Sequence, residues 1–158
     1  MKTVFIILSL FIVAGVFLLF ILGGISRSGK APGLVAERLA KCPDTPNCVC
    51  SEQQDDSNHS IAPIHLPQVI TFDPLSILKN VVKDMGGTIR TESDNYFAAT
   101  FTSAIFGFMD DFEVRIDSTQ KMIHIRSASR IGYGDAGVNR RRTELLKNLY
   151  NQKVSEAH

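Results

Sequence analysis

"FGFMDDFEVRIDSTQKMIHIRSAS", Phe106 to Ser129, is the stretch that decides the fold. Phe112, Val114 and Ile116 alternate with Asp111, Glu113, Arg115 and Asp117. After Ser118 to Lys121, Ile123 and Ile125 alternate with Met122, His124 and Arg126. A period of two is the signature of strands, so the stretch reads as a hairpin. One face must stay apolar, because a slip of one residue reverses every side chain. Pairing Ile116 with Ile123 and Val114 with Ile125 satisfies that demand. This register sets Glu113 opposite Arg126, Arg115 opposite His124, Phe112 opposite Ser127 and Asp110 opposite Ser129. Glu113–Arg126 is an expected cross-strand ion pair, worth ~0.2–1 kcal/mol if exposed. Asp110 falls on the apolar face, where an unpaired carboxylate is costly.

Upstream, "NYFAATFTSA" is rich in aromatic and β-branched residues, "GTIRTES" alternates weakly, and "HSIAPIHL" offers a short strand cut by Pro63. "TFDPLSILKNVVKDMGG" predicts a helix over 74–85. Asp73 is a good N-cap, Pro74 suits the first helical position, and Gly86 can take the left-handed position after the end. Leu75, Leu78, Val82 and Met85 form its apolar stripe, widened by Ile77 and Val81. A closing helix is expected over 138–152, with Val138, Leu145 and Leu149 facing inward beside Leu146 and Tyr150. The tail "VSEAH" is expected to fray. The fold class is α+β: an antiparallel sheet of four or five strands packed by two helices.

"VFIILSLFIVAGVFLLFILGGI", Val4 to Ile25, is uncharged. As a helix it would be ~33 Å long, enough to cross a bilayer core. The rival is a cleaved signal peptide, whose apolar region is normally shorter, at ~7–15 residues. The expected organisation is an anchor over 1–25, a linker over 26–41 and a single domain over 42–158. Within the linker, Leu34 to Leu39 reads as a helical turn. Arg27, Lys30, Arg38 and Lys41 after the run, against Lys2 before it, lean toward a cytoplasmic domain.

The cysteines lean the other way. "KCPDTPNCVCSE" places Cys42, Cys48 and Cys50 at C-x5-C-x-C. A Cys42–Cys48 disulfide would staple the loop and fit an oxidising compartment. Free thiols, or a zinc site completed by His59 or His65, are the alternatives, although zinc favours C-x2-4-C pairs. The 158 residues carry a net charge of +1, which argues against non-specific nucleic-acid binding.

"RSASRIGYGDAGVNRRR", residues 126 to 142, packs five arginines around glycine-rich turns. Arg140, Arg141 and Arg142 fall where the closing helix begins, an end already positive from free N–H groups and the dipole. Something negative should compensate. In an internal network, Asp110 would accept from Arg130 or Arg140 and from helix N–H groups. The alternative is an anion site for a phosphate or carboxylate, built from Arg126, Arg130, Arg140, Asp110, Asp111, Asp135 and Asn139. Gly132, Gly134 and Gly137 do not match a nucleotide-binding spacing. Ser127 and Ser129 lack a nucleophile elbow, and His124 lies on the opposite face from them.

At "CPDTPNCVCS", "FMDDFEVRID" and "RSASRIGYGDAGVNRRR" the chain resembles the domain-of-unknown-function family numbered 1499, small proteins of bacteria and plastids. The likeness runs from about Leu39 to Leu149. Its motifs fall on Cys42, Pro43, Pro46, Asn47, Cys48, Val49, Asp110 and Asp111. They continue on Arg126, Ser127, Ser129, Arg130, Gly132, Asp135, Gly137, Asn139 and Arg140. Cys50 stands where similar proteins tend to have serine, so the resemblance implies a Cys42–Cys48 bridge with Cys50 unpaired. Members often carry an export signal or anchor, which implies an extracytoplasmic domain.

The expectation is therefore a single-pass membrane protein, bound to the bilayer through residues 4–25, with its domain outside the cytoplasm. A cleaved, secreted or periplasmic domain and a cytoplasm-facing one are the rivals. Its expected role is non-catalytic binding of a small anion or an envelope protein, with no cofactor, metal or nucleic acid. An enzyme acting on an anionic or envelope-associated substrate and a structural assembly partner are the alternatives. Adjacent strand carboxylates point to opposite faces, so Asp110 and Asp111 are poor candidates for a shared acid–base pair.

Overall fold

The computed structural model describes residues 1–67 and 72–156. Its elements, in chain order, are α1 (Lys2–Ser26), β1 (Leu34–Val35), β2 (Arg38–Leu39), β3 (Cys48–Cys50), β4 (Ile64–His65) and α2 (Pro74–Asp84), followed by β5 (Thr88–Ser93), β6 (Tyr96–Thr102), β7 (Met109–Asp117), β8 (Met122–Ser129) and α3 (Val138–Glu156). The fold is α+β. Six strands form one antiparallel sheet in the order β3-β8-β7-β6-β5, with β4 beside β3 on the free edge of β8. The β7–β8 register matches the alternation argument at every pair named above, from Asp110↔Ser129 to Ile116↔Ile123.

One face of the sheet carries Phe97, Phe101, Phe112, Val114, Ile123 and Ile125, packed under α2 and α3. The α2 cap is as expected: Asp73 accepts from the N–H of Leu75 at 3.0 Å, and Gly86 takes φ +87°. The inner stripe of α3 differs from the expected one. Its buried residues are Asn139, Thr143, Leu146 and Tyr150, while Val138 and Leu145 are 38% and 48% exposed. The helix is turned by about one residue, because its first turn buries polar side chains that a reading by hydrophobicity passes over. It also runs on through Val154 to Glu156 instead of fraying at 152; Ala157 and His158 lie outside the described residues.

The opposite face carries the charged side chains Glu113, Arg115 and Arg126, and it does not meet solvent. Instead it is covered by the arm between α1 and β3. Leu39 is buried, and Ala31 and Leu34 pack against Cys48, Cys50, Tyr96, Ala98 and Ala128. The arm is thus no plain linker, and 34–39 is a hairpin where a helical turn was expected. β1 and β2 pair across Ala36 and Glu37, at φ 51° and 61°. Two successive positive φ values make the two-residue turn whose twist suits a hairpin. A further strand escaped the sequence reading: Cys48–Cys50 pairs with β8 at the sheet edge, and three residues between prolines and a polar loop show no period.

Candidate functional site

The sheet sends Asp110 and Asp111 to opposite faces, and the arginine cluster divides with them. On the helix side, Asp110 Oδ2 accepts from Arg142 Nη2 at 2.8 Å, and the Arg142 guanidinium lies 4.4 Å from the Phe101 ring centre. Arg142 Nη1 also donates to Asn139 Oδ1 at 2.8 Å. Asn139, 1% exposed, is the hub of this side. It accepts from Ser127 Oγ at 2.6 Å and donates to the Asn47 carbonyl and to Ser129 Oγ at 2.9 and 3.1 Å. Its own N–H donates to Asp135 Oδ2 at 2.7 Å, while the Gly137 N–H donates to Asp135 Oδ1 at 2.9 Å.

An internal carboxylate therefore occupies the start of α3 and answers its positive end. The expected partners need correcting. Asp110 takes Arg142, not Arg130 or Arg140, and the helix N–H groups go to Asp135. Arg140 donates to the carbonyls of Ser60 and Asn58, both at 2.9 Å. Arg141 donates to the Ala136 carbonyl at 2.8 Å. The network thus ties α3 to the cysteine loop and to the loop after it.

Beneath the arm lies a second polar layer. Glu113, fully buried, accepts from Arg126 Nη1 at 2.9 Å, Tyr96 Oη at 2.8 Å and the Gly33 N–H at 3.0 Å. Burial raises the Glu113 pKa, while Arg126, Tyr96 and Gly33 pull against that rise. Arg126 is thus held inside the fold. Arg115 pairs with Glu52 through Nε at 3.0 Å and also through Nη2, and reaches Asp117 at 3.2 Å. Ser51 Oγ accepts from the Ile125 N–H at 2.8 Å and lies 3.2 Å from His124 Nδ1. Burial pulls His124 below its ordinary value. The sequence reading missed this Ser–His contact, because it requires β3 to lie beside β8. Ser51 is 2% exposed with its oxygen already engaged, so the contact anchors a strand edge and offers no nucleophile.

Cys42 and Cys48 form a disulfide with a Cα–Cα distance of 5.6 Å, and Cys50 is free and buried. The disulfide removes two of the thiols that a zinc site would have needed. His59 is held by Asp56 at 2.6 Å and by the Thr45 carbonyl at 3.1 Å. Burial raises the Cys50 thiol, which leaves it a poor nucleophile.

Asp111 leads to the open feature. It accepts bidentately from Arg130, at 3.0 and 2.7 Å. Arg130 Nη1 also donates to the carbonyls of Ser26 and Arg27, at 3.2 and 3.4 Å. Beside this pair is a cavity of about 570 Å³, where the end of α1 meets the sheet. Arg27, Lys30, Arg90 and Arg130 line it against a single carboxylate, Asp111. Arg90 reaches it through a bulge: the β5–β6 register breaks between Ile89 and Thr91. The extra residue puts Arg90 and Thr91 on the same side, and Arg90 Nε donates to Thr100 Oγ1 at 2.9 Å. No carboxylate pairs with Arg27, Lys30 or Arg90 among the described residues. Of the seven expected anion-site residues, Asp111 and Arg130 border this cavity. Arg126 is sealed under the arm; Arg140, Asp110, Asp135 and Asn139 belong to the network around the start of α3. Arg27, Lys30 and Arg90 were not expected at the site, since "SRSGK" reads as a linker and Arg90 as one residue of a weak strand.

These features define a class: a small α+β domain with a six-stranded antiparallel sheet, two helices on one face and an arm over the other. A helix long and apolar enough to cross a membrane precedes it. The chain belongs to the family described as protein of unknown function, DUF1499, which matches residues 38–149. No curated protein matches it.

Proposed function

We propose that the chain is a membrane-anchored, extracytoplasmic, non-catalytic binding module whose juxtamembrane cavity takes an anionic group. The observation that carries this reading is the cavity's charge: four cations face one carboxylate. Both Asp111 oxygens already accept from Arg130, so the cavity holds no free acid–base pair. Guanidinium groups recognise phosphate and carboxylate by paired, charge-assisted hydrogen bonds, and partial enclosure strengthens them. The Cys42–Cys48 disulfide supports an oxidising compartment. Arg27 and Lys30 line the cavity, so their position after α1 has a reason apart from topology, and the charge bias toward a cytoplasmic domain loses weight.

The test is thermal unfolding of the detergent-solubilised full chain with sodium phosphate, pyrophosphate or citrate, against sodium chloride at equal ionic strength. A ligand at a hundred times its dissociation constant stabilises by about 2.7 kcal/mol. The expected result is a rise in Tm with phosphate-type anions that Arg90→Ala and Lys30→Ala reduce. Equal Tm values in all salts, or a rise indifferent to both substitutions, would remove the anion-site reading.

A further inference from the structure

The connection between β6 and β7, residues 103–108, reads "SAIFGF". Ile105 is 73% exposed, and Phe106 stacks edge-on against Phe20 of α1 with ring centres 5.2 Å apart. Phe108 follows, 6.4 Å from Phe106. The helix is seated closely at this point: a Cβ on Gly23 would come within 1.9 Å of the Phe106 carbonyl oxygen. One turn on, Ser26 Oγ accepts from the Met109 N–H at 3.0 Å and donates to the Gly23 carbonyl at 2.6 Å. The end of α1 is therefore docked on the domain and is no loose tether.

Phe20 lies six residues before the end of α1, ~9 Å along the axis. With Val4–Ile25 crossing the bilayer, Phe106 shares the depth of Phe20, inside the apolar edge, and the exposed Ile105 precedes it in the loop. Backbone at that depth needs its polar groups satisfied. The loop meets part of this need itself: the N–H groups of Ser103 and Gly107 donate to the carbonyls of Phe108 and Ser103, and that of Phe108 donates to Ser103 Oγ. Arg27 and Lys30 follow the apolar span directly, which puts the mouth of the basic cavity at headgroup level. Arg27 also packs against Gly107 of the same loop: a Cβ there would come within 2.4 Å of its Nη2.

We infer that the β6–β7 loop inserts into the bilayer beside α1, and that the anion taken by the cavity is the phosphate of an anionic phospholipid headgroup. The inference rests on the anion-site reading above and adds the source of the anion. The loop fixes the domain's height and tilt, and the cations then meet a lipid that diffuses in the same leaflet. Bound lipid would fill the space between the arm and the bulged strand.

The chain has no tryptophan, so Ile105→Trp supplies a single tryptophan that can be excited apart from the three tyrosines. The full chain would be reconstituted in nanodiscs containing phospholipid brominated on its acyl chains. The expected result is loss of fluorescence for Ile105→Trp but not for Gln120→Trp, in the exposed turn at the far end of β7. In parallel, native mass spectrometry from mixed phosphatidylglycerol and phosphatidylcholine discs should show retained phosphatidylglycerol. Arg27→Ala and Arg90→Ala should each weaken retention roughly fivefold, the loss of one basic contact to an anionic headgroup. Unquenched Ile105→Trp, or equal retention of the two lipids, would overturn the inference. If free phosphate still raised Tm through Arg90 in detergent, the lipid source alone would have failed; if it did not, the cavity reading would fall too.

Discussion

Glu113 is the residue on which most of the buried polar layer depends. It is fully enclosed and holds Arg126, Tyr96 and the arm at Gly33 together. Removing one partner of such a pair leaves the other charge stranded. Glu113→Ala should cost about 3–5 kcal/mol in urea unfolding, and a Glu113→Met/Arg126→Met double variant should regain most of it. A loss under about 1 kcal/mol for the single variant would place the pair in water, contrary to the buried geometry. Two histidines should give opposite pH responses. Burial holds His124 below 6.5, so the unfolded chain takes up the proton first and stability falls as pH drops through 6.5. The Asp56 hydrogen bond raises His59 above 6.5, so its contribution is complete below 6.5 and fades as pH rises through the folded value. His124→Gln should therefore flatten the acid side of a stability–pH curve, and His59→Gln should flatten the neutral side. Both are measurable by thermal scans across that range; identical curves for all three proteins would contradict the assignment. At this scale the sequence was legible in sign but not in partner. Asp110 on an apolar face demanded a cation, and it has one; alternation in β7 and β8 could not say that Arg142, two residues beyond Arg140, is the one that reaches it.

At the scale of elements, the start of α3 and the cysteine loop are one assembly. Asp135 holds the first N–H groups, and Asn139 carries that order into β8 and Asn47. Asp135→Ala should cost about 0.5–2 kcal/mol, the usual range for losing a helix cap. Cys42→Ser should cost about 2 kcal/mol, modest because the loop closed by the disulfide is short. Chemical denaturation of each variant under non-reducing conditions checks both; a cost above 5 kcal/mol for Asp135→Ala would mean that the network fails as a whole. The long elements could be read from the chain because burial imposes a period on them: β7, β8 and α2 have the residues, caps and register expected. The short ones could not. β3 is three residues long, and the β1–β2 hairpin is defined by two positive φ values at Ala36 and Glu37, neither a residue that announces such a turn. The stripe of α3 was misplaced for a related reason: two of its four buried positions, Asn139 and Thr143, are polar and satisfied by hydrogen bonds.

At the scale of the whole molecule, the stretch from the last turns of α1 to β3 is part of the fold. The arm closes over Glu113, Arg126, Arg115 and His124, and the last turns of α1 are hydrogen-bonded to Met109 and Arg130 and packed on Phe106. Alternation along β7 and β8 told which side chains share a face but not what covers it. The basic cavity was out of reach for the same reason: its cations come from the end of α1, the arm, a bulge in β5 and the end of β8. Gly23→Leu should separate the helix from the β6–β7 loop, seen as faster amide exchange at Phe108 and Met109 with little change in the sheet core. Unchanged exchange at both positions would show that the helix is not seated there.

On the proposed reading, α1 stays attached as a working part of a domain folded in an oxidising compartment. Intact-mass spectrometry of the chain extracted from membranes, alkylated under denaturing and non-reducing conditions, tests it most directly. The expected product is the full 17.5 kDa chain, recovered from the membrane fraction, with one alkyl group on Cys50 and the other two cysteines protected. A soluble product beginning near Ser26, or three alkylated cysteines, would contradict it.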